Sequence, residues 1–207
     1  MPWLIMSFSF FINLVLGIFL VDEAMYTGGI ASIHIYMLVI GIINVTQTFS
    51  FAIGFSVRRT DYFLGTAATI GAVSLANAVL LWLVSLIERS TDGWGVDLHF
   101  FHLPYMSDGT AIEQMWFQFA IMLCCFFTGF LFPCIYRRFG RVGLYAFFTA
   151  IVAAVSIVMF LIGYYGKWAE FFEALSGLTA VALAGWAFAL ALLLALVSYI
   201  LLRRSTN

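Results

Sequence analysis

The segment Asp97-Leu98-His99-Phe100-Phe101-His102 holds the chain's densest grouping of potential metal ligands, two imidazoles three residues apart beside a carboxylate. Wound as a helix it would carry His99 and His102 on one face, and neutral imidazoles next to an acid are zinc chemistry. Two histidines and one aspartate fall short of a full ligand set, and the interleaved aromatics suit a headgroup interface, so no metal is expected. A second grouping is polar but uncharged and sits in otherwise apolar sequence: Asn13, His34, Asn44, Thr46, Gln47, Thr48, Thr66, Thr69 and Asn77. Such groups either line a translocation path, for which Asn13, Asn44, Gln47 and Asn77 are the candidates, or hydrogen-bond between packed helices at ~0.6 kcal/mol per contact.

Catalytic signatures are missing. Gly166-Lys167 is followed by Trp168 rather than completing a GxxxxGK[ST] loop, so ATP hydrolysis by this chain is not expected. Neither HExxH nor GxSxG occurs, and no catalytic residue or cofactor is assigned. Proton- and sodium-coupled transporters place an acid at mid-membrane, and no apolar stretch here has one. Cys124, Cys125 and Cys134 lack CxxC spacing and read as buried apolar thiols.

The elements that must position these groups are apolar stretches over residues 4–21, 30–57, 64–87, 115–136, 142–163 and 177–202, each free of Asp, Glu, Lys and Arg within its core. An α-helix needs ~20 residues to cross a ~30 Å hydrocarbon core, and a charge at its centre costs about 2.5–3.5 kcal/mol. The expectation is one all-α membrane domain, 1–207, with six transmembrane helices. Basic residues near span ends stay on the cytoplasmic side. With both termini cytoplasmic, the inner segments hold Arg58, Arg59, Arg137, Arg138, Arg141, Arg203 and Arg204, while nine of the ten acids fall outside and Asp61 alone within. The formal charge of −1 is thus two opposed layers and gives no case for nucleic acid binding.

Short interfacial helices are expected in the outer loops. Residues 88–114 alternate Trp94, Phe100, Phe101 and Tyr105 with Asp92, Asp97, His99, His102 and Asp108. In residues 164–176 a helix would put Trp168, Phe171 and Phe172 on one face. Small-residue spacing at Gly65, Ala68, Gly71 and Ala72, and at Ala180, Ala184 and Ala187, suits close helix approach within the chain or between subunits. Pro133 permits a kink.

The inner stretch Gly54-Phe55-Ser56-Val57-Arg58-Arg59-Thr60-Asp61-Tyr62-Phe63-Leu64-Gly65-Thr66 is either a basic anchor or a short amphipathic turn on the inner surface. It resembles the Gly-x-Ser/Thr-Arg-Arg…Phe-x-Gly-Thr segment of small ABC-2 type membrane subunits of bacterial ABC transporters. The resemblance continues through 92–101, Ser107-Asp108-Gly109, Arg137-Arg138-Phe139-Gly140 and Ala184-Gly185-Trp186, and so covers most of the chain. It implies a permease of the bacterial plasma membrane, an exporter, paired with a second permease subunit and with separate ATPase subunits that carry ATP and Mg. Arg58, Arg59, Asp61, Tyr62 and Phe63 would then dock the ATPase. A membrane regulatory subunit without transport of its own is the alternative.

Overall fold

A computed structural model describes residues 2–20, 25–102 and 109–203. Asp22, Glu23, Tyr105, Ser107, Asp108 and Arg204, which entered the loop and charge readings, lie outside the described residues. The helices are α1 (Pro2–Leu20), α2 (Ala31–Ile43), α3 (Phe49–Gly54), α4 (Arg59–Ser90), α5 (Ala111–Tyr164), α6 (Trp168–Ser176) and α7 (Ala180–Arg203). A π-helical segment, Asn44–Thr48, fuses α2 to α3 into one rod. Two strands of two residues, β1 (Met25–Tyr26) and β2 (Leu98–His99), pair in parallel.

Among the described residues the protein is all-α apart from that pair, and five helical elements are long and apolar enough to cross a membrane: α1, the α2–α3 rod, α4, α5 and α7. At 54 residues α5 would be about 81 Å long if straight. It is not straight, because Gly140 leaves the helical region at φ 67°, ψ −162°, a conformation open essentially to glycine alone. Phe132 and Phe148 bring their rings to 5.4 Å, whereas sixteen residues of continuous helix would hold them about 24 Å apart. The chain therefore folds back at Gly140 into a hairpin of two helices. Pro133, where sequence allowed a kink, keeps helical φ and ψ, and α5 starts on a reciprocal cap between Thr110 and Glu113.

Close approach comes partly from glycines outside the small-residue rows of sequence. A Cβ on Gly41 of α2 would overlap the carbonyl of Phe126, and one on Gly129 of α5 would overlap that of Leu38, so these two glycines let α2 and α5 cross backbone to backbone. Gly65 and Gly71 of α4 meet nothing within 4 Å of an added Cβ. The α7 row does pack within the chain: Ala184 is 0% exposed against Phe117 and Ala120 of α5. Phe63, Phe127, Phe130 and Tyr199 bring α4, α5 and α7 together in one aromatic cluster.

α1 is set high. Trp3 donates its indole N–H to Asn77 at 2.9 Å, eighteen residues or about 27 Å along α4 from Arg59. Its Phe10 lies in ring contact with Trp94, Phe100 and Phe101 of the outer segment.

Candidate functional site

A cavity of about 660 Å³ opens between the α2 rod and α4. α4 supplies one helical face at spacings of three and four, Tyr62, Thr66, Thr69, Val73 and Asn77, and α2 supplies Ile33, Met37, Ile40 and Asn44. Pro2 and Phe126 close the remaining sides. From Asp61 to Asn77 the wall runs sixteen residues, about 24 Å, most of the way through a bilayer core. Its chemistry is mixed: isoleucine, methionine and phenylalanine are interrupted by two tyrosines, three threonines and two asparagines, with Asp61 the one charged lining residue among those described.

The π segment shapes the inner end. Phe49 N–H bonds back to the Asn44 carbonyl, five residues earlier, which widens the helix by one residue and turns Asn44 and Thr48 toward α4. The Tyr62 hydroxyl lies 3.0 Å from the Asn44 carbonyl, 2.5 Å from Asn44 Oδ1 and 2.8 Å from Thr48 Oγ1. The Thr48 hydroxyl also donates to the Asn44 carbonyl. One tyrosine thus locks the non-α turn to the first turns of α4. At the other end Asn77 accepts from Trp3 and donates to the Val73 carbonyl at 2.8 Å.

Of the four path candidates, the fold gathers Asn44 and Asn77 on this wall. Asn13 lies on α1 and donates to the Ser9 carbonyl at 2.8 Å, and Gln47 is exposed away from the cavity. His34 is buried between helices with a ring nitrogen 3.2 Å from the Ile30 carbonyl.

The inner stretch is a tight turn over 55–58, with Ser56 at φ 61°, between α3 and α4. Arg58 stands at the N-terminal boundary of α4 without a side-chain capping bond and is exposed, as is Asp61. Arg59 reaches the Leu202 carbonyl at 3.3 Å. Tyr62 is committed to the π segment, and Phe63 is 9% exposed inside the aromatic cluster. The aromatics presented at this corner are instead Phe51 and Phe55, each 69% exposed and 4.7 Å apart. Arg137 turns inward, bonded to Ser50 Oγ and with its guanidinium 4.9 Å from the Phe49 ring centre.

The outer segment is organised by a residue that sequence reading used only for topology. Glu88, at the end of α4, is 0% exposed. Its Oε1 accepts the backbone N–H groups of Phe100 at 3.1 Å and His102 at 2.8 Å. Its Oε2 accepts the Phe101 N–H at 2.9 Å and the Trp94 indole at 3.0 Å. Four donors on two oxygens satisfy a buried carboxylate and draw the loop down as a cap. Asp92, Gly93, Trp94 and Gly95 all have positive φ, a left-handed turn that costs non-glycine residues ~1–2 kcal/mol each and is held by that carboxylate.

The segment 97–102 is therefore not the helix that would have aligned two histidines. His99 lies in β2, stacked on Tyr26 at 4.8 Å, with His102 at 6.4 Å between ring centres. A polar hollow of about 390 Å³ beside them is lined by Glu88, Arg89, Asp92, Asp97, His99 and His102. Among the described residues no group of three His, Cys, Asp or Glu side chains could hold a metal ion. In the loop 88–114 the one helical piece described is the 3-10 turn Gly93–Gly95, whereas α6 forms as the aromatic spacing predicts, with Trp168 and Phe172 stacked at 6.1 Å. The cysteines are free, Cys134 buried and the other two half-buried.

No protein-family model matches the chain, and no curated protein or solved structure matches it.

Proposed function

We propose that this chain is the membrane-spanning subunit of an ATP-driven exporter of the ABC-2 type, that the cavity between α2 and α4 takes the transported molecule, and that the inner corner at Arg58 docks a separate ATP-binding subunit. The observation that carries this reading is continuity: Arg58 stands at the start of the same helix whose next turn, Asp61 and Tyr62, forms the inner end of the cavity wall. A push on the corner moves a rigid helix, and with it one wall of the site. A 24 Å hollow of mixed polarity also fits an amphipathic cargo better than a small ion, since ligand pockets of 300–1,000 Å³ suit drug-sized molecules.

In this proposal the hairpin at Gly140 makes six crossings, with the arginine-bearing corners and both termini inside a bacterial plasma membrane. The inner placement of the N-terminus rests on the basic residues of the other segments alone, since α1 starts beside Asn77, about 27 Å along α4 from Arg59. ATP and Mg belong to the partner ATPase, and a second permease subunit completes the complex. Docking falls to Arg58, Phe51 and Phe55, because Tyr62 and Phe63 are spent inside the fold, Asp61 lines the cavity, and Arg59 is half-buried.

Affinity purification in mild detergent tests the reading. An ATP-binding subunit should accompany the wild-type chain and be lost from Arg58→Glu with Arg59→Glu, while the variant stays monodisperse. Unchanged association in that variant would overturn the docking assignment. The cap on Glu88 favours the second reading, a regulatory subunit sensing through its outer face. ATP-dependent movement of an amphiphile separates the two.

A further inference from the structure

We infer that the cavity between α2 and α4 selects a cationic amphiphile, a molecule with one positively charged head and one extended apolar chain, and that Asp61 is the counter-ion for its head. The inference rests on the proposal that this cavity is a ligand site and adds the ligand's charge and shape.

Three observations carry it. In the proposed topology the other nine acids fall in outer segments, so Asp61 stands alone among the arginines of the inner side. On the cavity wall it is also the one charged side chain among the described residues. Among the described residues no hydrogen bond or ion pair engages its carboxylate.

Two of its basic neighbours are engaged elsewhere, Arg59 with the Leu202 carbonyl and Arg137 with Ser50 and the Phe49 ring, while Arg58 stands exposed at the start of the helix. Next to Asp61, Tyr62 offers a ring at the inner mouth, and a cation is stabilised by an aromatic face as well as by a carboxylate. A head bound there leaves about 24 Å of wall above it, with Ile40, Ile70 and Val73 for an alkyl chain to lie against.

Placement near the inner surface matters for selection. A positive head entering from the inner leaflet meets the exposed Asp61 at the cavity's inner end, where its carboxylate attracts a cation and repels an anion. An anionic amphiphile would have to leave its charge beside that carboxylate or travel head-first into the apolar wall.

Purified protein in nanodiscs of uncharged lipid, titrated with three dansyl-labelled C12 probes, tests this: a trimethylammonium, a sulfonate and a glucoside with the same chain. Wild type should bind the trimethylammonium at least about tenfold tighter than the sulfonate, a factor equal to 1.4 kcal/mol. Asp61→Asn should erase that preference while leaving glucoside binding unchanged, and Asp61→Glu should retain it. Equal binding of all three probes by wild type, or a preference that survives Asp61→Asn, would overturn the role of Asp61 while leaving the cavity as a site. Preference for the sulfonate would assign selection to the rim arginines and overturn the inference likewise. Failure of every probe to bind above protein-free nanodiscs would sink the cavity reading together with it.

Discussion

Replacing Glu88 by Gln should open the outer cap without unfolding the helices beneath it. The substitution preserves shape and removes one acceptor oxygen, so two of the four donors now at 2.8–3.1 Å would face an amide NH2 group. Hydrogen bonds to a charged group contribute about 1.5–3 kcal/mol each, which makes the local loss about 3–6 kcal/mol. Since 1.4 kcal/mol is a factor of ten, the amides of residues 100–102 should exchange with deuterium at least about a hundredfold faster than in wild type. Trp94 emission should shift red as its indole loses Oε2 and gains water. The substitution Arg89→Gln, next along the chain on an exposed side chain, is the control and should leave both readings unchanged. Unaltered exchange at residues 100–102 in Glu88→Gln would refute the assignment of Glu88 as the group that holds the cap.

Gly140→Ala should cost about 1–3 kcal/mol, because φ 67° with ψ −162° is glycine territory, and thermal melts in detergent would read it; a melt identical to wild type would mean the hairpin turns elsewhere. Gly129→Ala should destabilise by about 1–3 kcal/mol through overlap with the Leu38 carbonyl, whereas Gly71→Ala, with open space at its Cβ, should be neutral or slightly stabilising in the same assay. In a background lacking the three native cysteines, single cysteines at positions 58 and 138 should react with a membrane-impermeant maleimide only after lysis. Those at 92 and 167 should react in intact cells, and the reverse pattern would invert the proposed topology.

Charge placement and periodicity made the helices legible. The stretch 64–87 lies inside α4 and most of 177–202 inside α7, the α6 aromatic face forms, and the Arg137-Arg138-Phe139-Gly140 corner divides α5. The helical phase of Tyr62 and Phe63 was also readable: Tyr62 shares a face with Thr66, Thr69 and Asn77, while Phe63 shares one with Ile70 on the core side. Adjacent aromatics on a helix point about 100° apart, so the two could not both face a docking partner.

Other features are tertiary and leave little trace in sequence. A glutamate at a span end signals topology, and nothing in its surroundings announces that its partners are backbone N–H groups twelve to fourteen residues on. Gly41 and Gly129 matter because of the register in which α2 crosses α5, which neither helix encodes alone. The π turn at Asn44–Thr48 is stabilised by Tyr62 from a different helix, so local propensity does not reveal it. The polar residues inside the spans divided accordingly, Asn44 and Asn77 onto a cavity wall and Asn13 onto its own helix backbone.

ATP-dependent uptake of an amphipathic dye by inside-out membrane vesicles, comparing the wild-type complex with a Thr69→Trp variant that fills the middle of the cavity, tests the central claim most directly. The account predicts uptake that requires ATP in wild type and falls to background in Thr69→Trp, with the ATP-binding subunit still attached. Uptake undiminished by the filled cavity, or none in wild-type vesicles that retain the intact complex, would contradict it.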